Sequence, residues 1–477
     1  MALHCPGSSG RNSVGGDPLM NKVHFIGIGG TGISAIARLL LERGVKVSGT
    51  DLSSSPYFDA VTGLGADTRL GHHPDLALQA DVIVRSSAVK NDDPEVQAAL
   101  DAGIPVLKRA EFLPQLITGS KTLAIAGSHG KTTTTAMVIH LLRSANVDPS
   151  FILGADIKDL HTNAHAGEDE FFVIEADEYD NMFLGLNPAI SVVTNIEYDH
   201  PDFFPTPEDY TNAFVEFLTK TEEDGVILLC GDDAGIREML EAENFPHMQI
   251  LKYGFEPGSD YQIVDYAAKW GIQQFSLQLH KGETFGPFTL QPPGKFNCSN
   301  AAAALAVAHL VGIDLGELTD SLSSFAGTSR RFDLVCESEK VKVYNDYGHH
   351  PSQLLQTIQG VRQSFPDFKI WAVWEPHTIS RTRRLQHEFA AALEQADHAV
   401  ILKLFGAREE DSSFSPCSIA DELGSDKCIY LPETCDAMNY IMENLSKKDL
   451  IIVFSAGKGP EFADLLCSAI RLEASND

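Results

Sequence analysis

The sequence predicts an α/β protein of three doubly wound domains, Rossmann-like at each end with a P-loop domain between them. Three observations predict it. A strand, a glycine turn and a helix run from Val23 to Arg43, and the same pattern returns, now with a lysine, from Thr122 onward. From Val341 apolar runs of strand length again alternate with helical stretches, as in parallel sheets joined by crossover helices. The length, 477 residues, exceeds what one core holds, since single cores stop growing near about 250–300 residues.

Taken in order, residues 1–19 are Gly/Ser-rich without periodicity and are expected to be a disordered extension ahead of Met20. Residues 20–118 form the first domain. Its strand at Val23 is followed by the turn Gly27-Ile28-Gly29-Gly30-Thr31-Gly32, a helix Ile33–Arg43, a strand Val45–Gly49 and Asp51. A strand at Asp81–Val84 ends in Ser86-Ser87, and Ile104-Pro105-Val106 suggests another. Residues 119–329 form the second domain, with buried parallel strands at 122–126, 171–174, 190–194 and 226–229 and an alanine-rich helix around Ala301–Leu305. Residues 330–477 form the third, with strands at 341–344, 369–373, 399–402 and 450–454, a helix after Pro351 and a helix Leu385–Leu393.

The formal net charge is −30, which disfavours nucleic acid and anionic membrane as partners. A nucleotide must then be held by local devices: backbone N–H groups, helix N-termini, a few basic residues and bound cations. The eight cysteines show neither a C-x-x-C pair nor zinc spacing, so neither a disulfide framework nor a structural metal is expected, and a cytoplasmic setting fits. No apolar run reaches the roughly 18 residues that span a bilayer.

Each motif has a plain reading beside its chemical one. Gly27–Gly32 with Asp51 satisfies the dinucleotide pattern, yet the glycines would admit NAD, FAD or any other diphosphate, or make only a tight turn. Ser86 and Ser87 sit at a strand's carboxyl end, where ligands bind in open sheets but where serines also cap turns. Gly127-Ser128-His129-Gly130-Lys131-Thr132-Thr133 is shorter than the long Walker pattern. Even so, Lys131 at a helix start can neutralise β/γ-phosphate charge, and Thr132 or Thr133 can offer a hydroxyl to Mg²⁺. Glu175-Ala176-Asp177-Glu178 and Asp199-His200 end two further strands, where acidic and imidazole groups hold cations or merely face solvent. Asn297 and Asn300 precede the alanine-rich helix; one is expected to cap it and the other to face a purine edge. Arg330-Arg331 lies at a domain junction, and Asp346-Tyr347-Gly348-His349-His350-Pro351 and His377 with Arg381 and Arg383 are the polar spots of the last section.

In order and spacing these motifs, with His24-Phe25-Ile26, Thr194-Asn195-Ile196-Glu197 and Arg331-Phe332, resemble the Mur ligases over essentially the whole chain from Met20. The resemblance implies ATP-dependent ligation of L-alanine to the lactyl carboxylate of UDP-N-acetylmuramate through an acyl phosphate, in cytoplasmic peptidoglycan precursor synthesis. It implies that the first glycine turn holds UDP, with Gly27, Gly29, Gly30, Thr31, Gly32, Asp51, Ser86 and Ser87 on that substrate. It places ATP on Gly127 through Thr133, with Asn297 and Asn300 on adenine, Asp346 on ribose and Arg331 on phosphate. Two Mg²⁺ ions are implied, one held by Thr132 and Glu175 and one by His200. Lys131, Glu175, His200 and Arg331 then carry catalysis, Tyr347, His349, His377 and Arg381 lie by the alanine, and the last domain closes on ATP. A monomer or homodimer is expected.

The chain also departs from the family pattern. Ser128 stands where threonine is common, and Asn345 where an aspartate is. Glu375 replaces a glutamine before Pro376-His377, Ile379 an aromatic, and Ser455-Ala456-Gly457-Lys458 a Gly-Ala-Gly followed by Asp or Asn. The nearest rival function is the muropeptide-recycling ligase, which adds a peptide to the same sugar nucleotide. An NAD-dependent oxidoreductase would leave the lysine loop unexplained, and a non-catalytic nucleotide-binding regulator would leave the catalytic positions without a use.

Overall fold

The computed structural model describes residues 21–474, apart from 202, 244, 246, 281, 339, 407–408, 410–413 and 447. The extension expected at 1–19 lies outside the described residues. The chain makes three sheets and divides into two compact units. The first unit takes the chain through Val264 with Ser276–Pro287 and Ser299–Ala326; the second takes Asp265–Phe275, Phe288–Cys298 and everything from Gly327.

In the first unit, β1 (Lys22–Ile26), β2 (Lys46–Asp51), β3 (Asp67–Leu70), β4 (Val82–Arg85) and β5 (Val106–Lys108) form a parallel sheet in the order β3-β2-β1-β4-β5. The order reverses between β1 and β4, and such a switch point opens a crevice at the carboxyl ends of the strands. The glycine turn and Ser86 therefore meet there: a Cβ on Gly27, whose φ is +82°, would lie 3.0 Å from the Ser86 Cβ. Below the turn, a buried Glu95 joins His24 on β1 (Nε2 to Oε2, 3.0 Å) and Thr50 on β2 (2.7 Å).

The second sheet contains β6 (Lys121–Ala126), β7 (Ser150–Ile157), β8 (Thr162–His165), β9 (Phe171–Glu175), β10 (Ile190–Val193), β11 (Val226–Cys230), β12 (Gln249–Gly254), β13 (Tyr261–Lys269), β14 (Ile272–Leu279) and β15 (Thr284–Leu290). Its order is β15-β14-β13-β12-β11-β10-β6-β9-β7-β8. The strands from β7 to β12 in that order are parallel, as their apolar runs require, and β8 is an antiparallel edge. Because β6 lies between β9 and β10, the lysine loop after β6 is flanked by Glu175 on one side and Thr194-Asn195 on the other. The extension β13–β15 escaped the motif reading, although Tyr261 and Ile263, Phe275 and Leu277, and Phe288 and Leu290 bury alternate positions as strands do.

The third sheet holds β16 (Asp333–Glu337), β17 (Val341–Asp346), β18 (Lys369–Trp374), β19 (His398–Ile401), β20 (Cys428–Tyr430) and β21 (Asp449–Phe454), in the order β16-β17-β21-β18-β19-β20. Only β16 runs antiparallel to its neighbour. Alternate residues bury on opposite faces: Ile370, Ala372 and Trp374 join one apolar cluster, Trp371 and Val373 the other. The carboxyl ends of β17, β21 and β18 are adjacent, with Asp346 and Trp374 both opposite Phe454.

The helix expected at Leu385–Leu393 forms as Gln386–Leu393, and a further short helix, Ile379–Arg384, precedes it. Two expectations need correction. Asn297 and Asn300 lie inside the helix Lys295–Leu310 rather than before it, so neither is an N-cap; Asn297 Nδ2 bonds back to Pro293 O at 2.7 Å. Cys336 and Cys467 form a disulfide across 131 residues, with Cα atoms 6.0 Å apart. Short-range cysteine spacing carries no trace of it, because β16 and the helix Gly459–Ala474 meet only through tertiary packing. No helix among the described residues is long and apolar enough to cross a membrane.

Candidate active site

In the first unit the glycine turn is braced by its own sheet. Gly27 and Ile28 donate to Thr50 O, Gly29 N–H donates to Asp51 Oδ2 at 2.9 Å, and Ser55 Oγ donates to Gly29 O at 2.8 Å. Asp51, expected on the sugar nucleotide, thus braces the turn with one of its carboxylate oxygens. Gly30 precedes the helix Thr31–Glu42 with no side-chain cap, so the first-turn N–H groups remain the anion-binding end of that helix. Thr31 O accepts from Asn163 of β8, which ties this helix to the second sheet.

A group the motif reading missed stands over the turn. A Cβ on Gly32 would lie 2.1 Å from Arg109 Nη1, and Arg109 Nη2 reaches Asp177 Oδ2 at 3.2 Å. Beside it, Lys108 Nζ lies 3.4 Å from Asp180 Oδ1, while Ser87 Oγ donates to Asp180 Oδ2 at 2.8 Å. The signal was present: two adjacent cations between a strand and a helix, in a chain of net charge −30.

The lysine loop is cross-linked by side chains. Gly127 (φ +134°) and Gly130 (φ +83°) take backbone angles that glycine alone adopts readily, and a Cβ on Gly130 would lie 2.7 Å from Asn300 Oδ1. Asn195 Oδ1 accepts from His129 N–H and Asn195 Nδ2 donates to His129 O, both at 2.9 Å. His129 Nε2 pairs with Glu197 Oε2 at 2.9 Å, and Ser128 Oγ donates to Glu197 O and meets the Tyr210 hydroxyl.

Past Gly130 the helix Lys131–Ser144 begins. Thr132 Oγ1 donates to Glu175 Oε1 at 2.9 Å, and the other Glu175 oxygen accepts from Gly154 N–H. A hydroxyl in the first turn of that helix and a carboxylate at the end of β9 are hard oxygen donors, the set that suits Mg²⁺. Thr133 is half-buried one position on. Lys131 donates to Glu178 Oε2 at 2.7 Å. Burial alone would depress the lysine, but the carboxylates of Glu178, Asp177 and Glu175 hold its ammonium above the usual value. His200, at φ +55°, places Nε2 3.7 Å from Glu178 Oε1. Lys131, Thr132, Glu175, His200 and Asn300, expected at the nucleotide, therefore share one corner of the first unit.

In the second unit, Arg331 lies between two non-glycine residues of positive φ, Arg330 (+63°) and Phe332 (+44°). Both guanidiniums lie over the Tyr347 ring, at 4.9 and 4.8 Å from its centre. Asp346 accepts from Phe332 N–H and Gly348 N–H. Burial pushes its carboxyl above the ordinary range, partly offset by Arg331. The Tyr347 and His349 rings stand 5.2 Å apart, His349 and His377 5.9 Å, and Arg381 Nη1 lies 3.4 Å from His377 Nδ1. The expected amino-acid group is thus contiguous. Two departures from the family pattern, read separately in the sequence, meet here: buried Glu375 accepts from Ser455 Oγ and from Lys458 N–H, 2.8 Å away.

Three family models match the chain: "Mur ligase family, catalytic domain" over residues 22–121, "Mur ligase middle domain" over 125–308 and "Mur ligase, glutamate ligase domain" over 330–457. A UDP-N-acetylmuramate–L-alanine ligase of Paenarthrobacter aurescens is 38% identical over 460 residues, covering 96% of this chain and 99% of that one. This chain belongs to the Mur ligase family. Among solved structures, this Mur ligase is similar to a UDP-N-acetylmuramate–alanine ligase of Thermotoga maritima (TM-score 0.79, 24% identity, 95% and 99% of the two chains). It is also similar to a murein peptide ligase of Psychrobacter arcticus (TM-score 0.68, 23% identity, 94% and 98%). At those identities the likeness establishes the fold, three sheets in the Mur ligase arrangement.

Proposed function

We propose that this Mur ligase joins L-alanine to the lactyl carboxylate of UDP-N-acetylmuramate, converting ATP to ADP and phosphate, in cytoplasmic synthesis of peptidoglycan precursors. The observation that carries the reading is the 38% identity, end to end, with a ligase named for that reaction. The family-model matches, which break between residues 121 and 125 and between 308 and 330, support a division into three domains, placed here at 118–119 and 329–330.

The carboxylate attacks the γ-phosphorus, ADP departs, and the resulting acyl phosphate is attacked by the alanine amine with loss of phosphate. Lys131 offsets charge on the β/γ-phosphates, and the loop N–H groups around Gly127–Gly130 orient them. Thr132 and Glu175 would hold one Mg²⁺ and His200 a second, and the metal's chemistry is to neutralise charge between two anions. Asn297 and Asn300 serve adenine, Asp346 the ribose and Arg331 the transferring phosphate. Tyr347, His349, His377 and Arg381 receive alanine. The glycine turn holds the UDP diphosphate with Ser86 and Ser87, and Lys108 and Arg109 add the positive charge that the turn itself lacks. Positioning outweighs base strength, because an acyl phosphate is already reactive.

The test is phosphate release with UDP-N-acetylmuramate and, in parallel, L-alanine, glycine, L-serine or a tripeptide. L-alanine should give the highest kcat/KM. A preference for the tripeptide would move the chain to the recycling ligases, and NADH binding without UDP-sugar binding would revive an oxidoreductase.

A further inference from the structure

One buried charge in the first unit has no role in that scheme. Lys131 Nζ donates to Gly127 O at 2.6 Å and to Glu178 Oε2 at 2.7 Å, so two of its three N–H donors are engaged by the protein. The Glu178 side chain is 1% exposed. Its second oxygen lies 3.3 Å from the Tyr210 hydroxyl, which also meets Ser128 Oγ at 2.8 Å. Glu178 is thus held in place from the loop side as well, and cannot swing aside into water.

A phosphate drawn to Lys131 must take the ammonium from Glu178 or share it. Sharing places a second anion beside a buried carboxylate, where water screens little and repulsion is strong. Exchange forfeits a charge-assisted bond between buried partners. Either way the pair subtracts from nucleotide affinity.

We propose that Glu178 is a positioning residue that competes with the nucleotide phosphates for Lys131, keeping nucleotide affinity below what the loop alone would give and so favouring release of ADP. The proposal rests on the reading of Lys131 as the phosphate-binding lysine.

Titration calorimetry of ADP binding to the full chain in EDTA separates the two. Lys131→Met should weaken ADP; an unchanged affinity would overturn the lysine reading itself. Glu178→Gln, which keeps shape and loses charge, should bind ADP about tenfold more tightly than wild type, a shift of about 1.4 kcal/mol. In the Lys131→Met background the same substitution should tighten ADP by a smaller factor than in wild type, since there is no ammonium to release and only the repulsion is relieved; an equal factor in both backgrounds would overturn competition for Lys131. Unchanged or weaker ADP binding by a Glu178→Gln protein that melts as wild type does would overturn the proposal. Should that variant fail to fold, Glu178→Asp decides: it keeps the charge but is one methylene shorter, and should tighten ADP by a smaller factor, whereas no tightening would again overturn it.

Discussion

The turn Gly27–Gly32 and the loop Gly127–Thr133 both join a parallel strand to a helix at the carboxyl edge of a sheet, yet they are held by different means. The first is braced by main chain and by the short side chains of Asp51 and Ser55, and its cations, Lys108 and Arg109, come from elsewhere. The second carries its own cation and is tied through Asn195, Glu197, Glu175 and Glu178 to groups that are themselves charged or polar. A turn of the first kind suits a diphosphate whose charge stays constant through the reaction. A loop of the second kind suits a phosphate whose charge is redistributed as it transfers, because its cation is already fixed in place by surrounding side chains.

Breaking this division at its strongest point, Lys131→Ala should lower phosphate release by about a thousandfold, the order lost with a single transition-state donor. An unchanged rate in a colorimetric phosphate assay would end the proposed mechanism. Gly130→Ala forces a side chain into a left-handed backbone at about 1–2 kcal/mol, against Asn300. Its KM for ATP should rise roughly tenfold while KM for the UDP-sugar holds, so equal movement of both would blur the two sites. Gly32→Ala should do the reverse. It pushes the Arg109 guanidinium off the turn, and loss of that half-exposed group is worth about 1 kcal/mol, roughly fivefold in KM for the UDP-sugar.

The smallest effect at neutral pH concerns what lies beneath the first turn. Burial works to raise the Glu95 carboxyl, but hydrogen bonds from His24, His73 and Thr50 more than offset it and hold it below the ordinary range. A carboxyl depressed in the folded state adds stability that is complete above its unfolded value, about 4.3, and is lost as pH falls through the folded one. Glu95→Gln should therefore flatten the acid limb of a Tm–pH curve while leaving its neutral shape alone. A limb as steep as wild type would place the acid sensitivity elsewhere.

How much of this was legible follows from the range of each signal. Both glycine turns, Glu175, His200 and the Tyr347–His349 stretch stand at strand ends, and apolar runs bounded by glycine reveal strand ends locally. Lys108, Arg109, Glu178 and Tyr210 became visible only when strand order placed them beside those turns. Glu178 is three residues past Glu175, yet nothing in the string Glu175-Ala176-Asp177-Glu178 says which carboxylate meets Thr132 and which meets Lys131. The disulfide partners and the contact of Glu375 with Ser455 are likewise products of topology. The strands β13–β15 were legible by alternation and were passed over because no motif falls on them.

Asp180 binds Ser87 with one oxygen and Lys108 with the other, and it sits with Asn181 in a left-handed kink, φ +55° and +52°. Asp180 thus ties the ends of β4 and β5 to the segment that follows β9, so the spacing between those places belongs to the protein rather than to whatever lies across it. Such a gauge measures its cargo. On the proposed sites, a sugar nucleotide whose carboxyl hangs one bond too short would be gripped at its diphosphate and yet never reach the phosphorus.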